Sequence, residues 1–203
     1  MVSKKTETAK YLCLIEVLIY NESIPTHSKK KILENDFYQI NGWAGSPDNM
    51  SSYCLIRDTR GKIWVGTNTG LGRYDEKTRM LTQEKNDGSD IDNARITYFE
   101  QSIDKNIIWV GSEKGVYKLD IHKGIQKKFD SLSKPALSNE RVYCIKEDTK
   151  GNIWIATEYG ISILDKTGKH MRYINTLNSN LCNDVLYGFL WENEHIIWIS
   201  TQR

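Results

Sequence analysis

The sequence is short of proline, phenylalanine and net charge, and it lacks any long apolar run. Its 28 Lys+Arg against 26 Asp+Glu leave a formal net charge of +2. That withholds the strong basic field on which nucleic-acid binding depends, so no nucleic-acid partner is expected. Three prolines exclude a proline-rich spacer. The most apolar stretch, residues 11–20, has Glu16 at its middle and falls short of the roughly 20 residues that a membrane-spanning helix requires. The chain is therefore not expected to be embedded in a membrane. Its four cysteines, Cys13, Cys54, Cys144 and Cys182, fall into no CxxC or Cys/His spacing, so neither a metal nor another cofactor is called for.

What the chain has in quantity is aromatic residues that favour strands, with six Trp and eleven Tyr. Together with the absence of long apolar helices, they point to β-structure. Residues 1–35 stand apart. Lys4, Lys5 and Lys10 precede the apolar run, a layout that fits either an atypical secretory signal or an extra strand or helix.

The decisive feature is an internal period. Trp64, Trp109, Trp154 and Trp198 are 45, 45 and 44 residues apart. Gly70, Gly115 and Gly160 keep a spacing of 45, as do Asp75, Asp120 and Asp165. A tyrosine (Tyr53, Tyr98, Tyr143, Tyr187) stands 11 residues before each tryptophan, and Asn49, Asn93, Asn139 and Asn183 recur at 44, 46 and 44. Each unit reads as four short strands. In the third, Val142 to Glu147 is followed by the turn Asp148-Thr149-Lys150-Gly151-Asn152 and then by Ile153-Trp154-Ile155-Ala156-Thr157. Glu158-Tyr159-Gly160 turns the chain into the third strand, and Asp165 to Gly168 turns it into a weaker fourth. Asp and Gly at the turn ends supply capping oxygens and positive-φ positions. Four strands per unit with one Trp and one Gly marker is the signature of a β-propeller blade.

The expected fold is thus all-β, a partial β-propeller of about three and a half four-stranded antiparallel blades of roughly 45 residues within residues 36–203. Residues 36–48 read as the outer strand of a preceding blade. Blades follow at 49–92, 93–138 and 139–182, and 183–203 hold half of another. Such an arc would leave two apolar sheet faces wet, predicting contact with other propeller blades or self-association. Cys54 and Cys144 occupy equivalent places on separate blades, too far apart for a disulfide.

The string Ile56-Arg57-Asp58, Gly61, Ile63-Trp64-Val65-Gly66-Thr67, Gly70-Leu71, Tyr74-Asp75 recurs as Ile145-Lys146-Glu147-Asp148, Gly151, Ile153-Trp154-Ile155-Ala156-Thr157, Gly160-Ile161, Asp165. It resembles the two-component regulator propeller repeat. That resemblance implies the extracytoplasmic, periplasmic sensor propeller of Bacteroides-type hybrid histidine kinases, whose ligands are usually oligosaccharides. No kinase segment is present, so the implied role is non-catalytic ligand sensing, with glycan fragments as partners. Two alternatives stand beside it: a lyase-like propeller enzyme using His122, His170 or His195, and a truncated product with no independent function.

Propellers bind ligands where loops converge at one end of the ring. The loops entering each first strand and those joining second to third strands select Asn93, Arg95, Asn139, Arg141 and Asn183, with Glu113, Glu158 and Tyr159. The recurring asparagines read as turn caps, whereas the non-repeating Arg95, Arg141 and Tyr159 are the better candidates for specificity. Trp64, Trp109, Trp154 and Trp198, with Gly70, Gly115 and Gly160, are assigned to the structural core of the repeat.

Overall fold

The structure, a computed structural model, describes residues 50–78, 80–85, 90–193 and 196–202. Segment 1–35, the expected outer strand at 36–48, Asn49 and His195 lie outside the described residues. The first blade consists of β1 (Ser52–Arg57), β2 (Ile63–Thr67), β3 (Gly70–Asp75) and β4 (Met80–Gln83). The second holds β5 (Ile96–Gln101), β6 (Ile107–Ser112), β7 (Gly115–Asp120) and β8 (Gly124–Phe129). The third holds β9 (Val142–Glu147), β10 (Ile153–Thr157), β11 (Gly160–Leu164) and β12 (Met171–Ile174), and β13 (Leu186–Trp191) pairs with β14 (Ile197–Thr201). Every sheet is an antiparallel meander in sequence order. The first strands β1, β5, β9 and β13 lie side by side, which makes them the inner edge of a partial β-propeller.

The core is the set of seams between consecutive sheets. Side chains alternate across a strand, so each second strand sends one set of residues back and the other forward. Trp64 and Leu71 of the first blade meet Ile96, Phe99, Ile108 and Val110 of the second. Trp109, Val116 and Phe129 of the second meet Val142, Ile145, Ile153 and Ile155 of the third. Ala156, Ile161 and Ile163 then meet Leu186 and Phe189, with Trp154, Ile197 and Ile199 against them. Burying an aromatic side chain in such a seam removes roughly 150–250 Å² from water.

Trp198, expected in the core, is 61% exposed, and its cross-strand partner Leu190 is 66% exposed. By alternation both face forward, where no further sheet lies among the described residues. The expectation of two wet faces also needs correcting. On the back of the first blade Ile63, Val65, Tyr74 and Leu81 are buried, with Met50 packed against them. The chain entering β1 thus helps to cover that side.

Two of the three seam tryptophans are tied down by a carboxylate six residues earlier. Asp58 accepts the indole N–H of Trp64 at 3.1 Å and the amides of Arg60 and Lys62 at 2.9 Å. Asp148 does the same for Trp154 at 3.1 Å and for Lys150 and Asn152 at 2.9 and 2.8 Å. The turns expected from the Asp-x-x-Gly pattern are therefore capped by these carboxylates. Glu192 takes the indole of Trp198 at 2.7 Å. The second blade has no counterpart: its turn is one residue longer, with Gln101 opposite Ile108 where Arg57 faces Ile63. Ser102 stands in the aspartate's place, its amide donating to Ile107 O as that of Asp58 donates to Lys62 O. The indole N–H of Trp109 is buried without an acceptor.

Burial opposes ionisation of Asp58 and Asp148, but the donors around each carboxylate outweigh it and hold both pKa values below the usual range. The stability they contribute is complete above the unfolded-chain carboxylate pKa, about 4, and is lost as pH falls through their lower folded values. Asp148→Ala, which leaves two amides and an indole N–H unmatched, is expected to cost about 2 kcal/mol. Asp58→Asn with Asp148→Asn should flatten the acid limb of stability below about pH 4. Denaturant melts across pH check both; an unchanged acid limb would count against the clasp.

Candidate ligand-binding face

The first strand of every blade contains a β-bulge at the same register. The pairing shifts between Ser52 and Cys54, between Ile96 and Tyr98, and between Leu186 and Gly188, while the β9–β10 ladder shifts between Ala156 and Thr157. A bulge leaves one residue out of the ladder and re-aims its side chain. The residues so released are Tyr53, Thr97, Tyr143 and Tyr187. Tyr98, counted from the sequence as the equivalent tyrosine, instead shares the register of Cys54 and Cys144. It packs into the two seams that flank its neighbour blade. The longer 102–107 turn is the reason: it shifts the count to Trp109 by one. Burial, with Cys144 beside it, pushes the Tyr98 phenol up to about 12.

Around the released tyrosines the expected loop residues come together as pairs. Arg141 meets Glu158 at 2.6 Å, and the Tyr143 hydroxyl donates to the same carboxylate at 3.0 Å. The Glu158 carboxylate raises the Arg141 pKa, and burial followed by that same hydrogen bond raises the Tyr143 phenol. One blade earlier, Arg95 lies 3.9 Å from Glu113 and places its guanidinium 5.5 Å from the Tyr53 ring centre. Tyr143 and Tyr187 make an edge contact at 5.3 Å. Tyr53 and Tyr187 are half exposed, and Tyr159 is exposed beyond them. Arg–Glu pairs, phenol hydroxyls and accessible ring faces are thus displayed along one end of the arc.

The backbone explains why these loops hold their places. The amide of Glu113 donates to Arg95 O at 3.1 Å, tying the strand-joining loop to the entering loop of its own blade. Gly115 N donates to Glu140 O at 2.9 Å and Gly160 N to Asp184 O at 2.8 Å, linking each blade to the next. Gly115 and Gly160 have φ of +114° and +87°, and a Cβ there would collide with the carbonyl oxygens of Phe129 and Ile174, so glycine is required. Asn139 and Asn183 accept the amides of Arg141 and Val185 through Oδ1, each at 2.8 Å, and so cap these turns. Asn93 ends a short 3-10 turn, Asp90–Asn93, and is exposed.

The described histidines are elsewhere. His122 and His170 are exposed in the turns between third and fourth strands, where Asp120 and Asp165 accept their backbone amides at 2.8 and 3.0 Å. Those turns are at the opposite end of the sheets.

A protein-family model described as two component regulator propeller matches residues 45–69 and 136–159. The chain thus carries that repeat. No curated protein matches the sequence. Among solved structures, an extracellular domain assigned to the B. thetaiotaomicron system BT4673 is 22% identical with a TM-score of 0.61, covering 77% of this chain and 21% of that one. The corresponding domain of the B. thetaiotaomicron hybrid two-component system BT3049 is 22% identical with a TM-score of 0.62, covering 74% and 20%. Virginiamycin B lyase from Staphylococcus aureus is 16% identical with a TM-score of 0.55, covering 75% and 50%. At these identities the likeness establishes the fold. The chain spans about a fifth of the length of the two B. thetaiotaomicron domains.

Beneath the tyrosine rim the described thiols are free. Burial pushes Cys54 up to about 12, against a hydrogen bond from the Gly66 backbone, and also raises Cys144, whereas Cys182 is exposed. Because the thiolate is the reactive form, alkylation near pH 8 mapped by mass spectrometry should mark Cys182 in the folded protein. Cys54 and Cys144 should react only on unfolding. Equal labelling of all three in the native state would contradict the packing of these strands.

Proposed function

We propose that this chain contributes blades to a ligand-sensing propeller of a two-component system, without a catalytic step of its own, and that its ligand is an oligosaccharide. The observation that carries this reading is the meeting of released tyrosines with an Arg–Glu pair in the second and in the third blade at one end of the arc. A sugar offers an apolar C–H face that packs on a phenol ring. It also offers vicinal hydroxyls that can accept from a guanidinium and donate to a carboxylate at once. The fold alone needs neither Arg95 nor Arg141, since Val185 stands at the corresponding place before β13. The repeat match and the likeness to extracellular sensor domains support a periplasmic setting. Among the described residues no helix is long and apolar enough to cross a membrane. A lyase reading draws support from a shared fold, but His122 and His170 stand away from the tyrosine rim.

Calorimetric titration with a panel of oligosaccharides tests the ligand class. Binding is expected to weaken at least tenfold, about 1.4 kcal/mol, in Arg141→Ala and Tyr187→Ala. No binding across the panel, or binding indifferent to both changes, would sink the reading.

The exposed Trp198 and Leu190 support a second partner, another blade of the same kind. Among the described residues, the faces that carry Trp64, Trp109 and Trp154 are each covered by the next blade. Sedimentation should show concentration-dependent association that Trp198→Glu abolishes. A monomer at every concentration would argue against it.

A further inference from the structure

At the turn end of the sheets, opposite the tyrosine rim, a cleft of about 500 Å³ opens between the second and third blades. Small-molecule sites span roughly 300–1,000 Å³. Its wall includes Trp109 and Phe129, and around it stand Lys118, Lys127, Lys150 and Lys166. None of these four lysines is in an ion pair among the described residues. Lys118 lies 5.9 Å from the Trp109 ring centre, and Lys127 lies 4.6 Å from that of Phe129 and 3.3 Å from Gly168 O. The carboxylates on the same cleft already have donors. Glu147 accepts the Ile103 amide at 2.9 Å, Asp104 that of Asn106 at 3.0 Å, and Asp165 those of Lys169 and His170 at 3.0 Å.

The repeat itself shows what is missing here. Asp58, Asp148 and Glu192 each place a carboxylate on the indole N–H of the tryptophan in their sheet. In the second blade Ser102 stands in that position, and the Trp109 N–H has no acceptor although the residue is only 6% exposed. The second blade thus lacks the carboxylate that the other turns supply, beside a cleft lined by four lysines, and a buried donor is left over. An unmatched buried N–H is costly enough to demand an explanation.

We propose that this cleft binds a small polyvalent oxyanion, whose oxygens take the place of the carboxylate that the second blade lacks. The lysines outnumber the cleft's carboxylates, Asp104, Glu147 and Asp165, by one, and a ligand with several oxygens can reach both the Trp109 N–H and more than one lysine. The Trp109 nitrogen is covered, so the ligand reaches it by shifting the 102–106 turn, whose Ile103 is 59% exposed. This site is independent of the tyrosine rim and of the glycan reading.

Sodium pyrophosphate titrated into the ¹⁵N-labelled chain, against sodium chloride at matched ionic strength, tests the site through the tryptophan indole signals. The Trp109 signal is expected to shift saturably with pyrophosphate. Affinity should fall at least tenfold in Lys118→Gln with Lys166→Gln. It should fall as far in Ser102→Asp, which restores the carboxylate within the chain and is expected to raise the melting temperature. Arg141→Ala should leave the titration unchanged. Absence of a saturable shift, or an affinity unchanged from that of the parent chain in either the lysine variant or Ser102→Asp, would overturn the proposal.

Discussion

A tryptophan in the second strand, packed forward onto the next sheet and, in the first and third blades, held by a carboxylate six residues behind it, is the interaction on which the rest of the structure rests. One aspartate does three things at once. It caps the tight turn between the first two strands, it fixes the rotamer of the tryptophan through the indole N–H, and it thereby sets the distance to the following blade. Asp58 and Asp148 do this with nearly the same geometry. Where the pattern fails, the consequences are local and legible: the second blade keeps its seam by apolar packing, but leaves a buried donor and an open cleft.

The candidate site depends on a second regularity, the bulge in each inner strand. A regular ladder would send every second side chain of that strand into a seam. The bulge releases one residue per blade from this alternation, and in three of the four blades that residue is a tyrosine. The bulges also lie beside the loops that carry Arg95, Glu113, Arg141 and Glu158. The fold therefore presents phenol rings and charged pairs together without taking them from the core. Turns at the other end of each sheet are occupied with capping their own backbone, which is why His122 and His170 do not join this group.

Much of the fold was legible because burial imposes a period. A side chain repeated every 45 residues in one phase must meet the same environment in each unit, so Trp64, Trp109 and Trp154 could be placed in seams before any coordinates. Trp198 shares the phase but not the environment. Burial requires a covering sheet as well as a strand position, and a residue's own neighbours in sequence do not report the cover. Tyr98 misled for a different reason: it keeps the 45-residue spacing, yet an added residue in the following turn moves it by one place, and one place in a strand reverses the face.

The sequence by itself determined the strand periodicity, the turn chemistry and the positions where only glycine fits, because these follow from local sterics and from hydrogen bonds a few residues long. It also singled out Arg95 and Arg141, whose place is taken by Val185 in the last unit. The tertiary structure alone decided that each arginine pairs with the glutamate of its blade's other loop, that Thr97 rather than Tyr98 occupies the released position, and that Trp109 lacks its acceptor. Those outcomes depend on ladder register and on contacts between blades, where a shift of one residue or the absence of one carboxylate changes which atoms meet across a long separation in sequence.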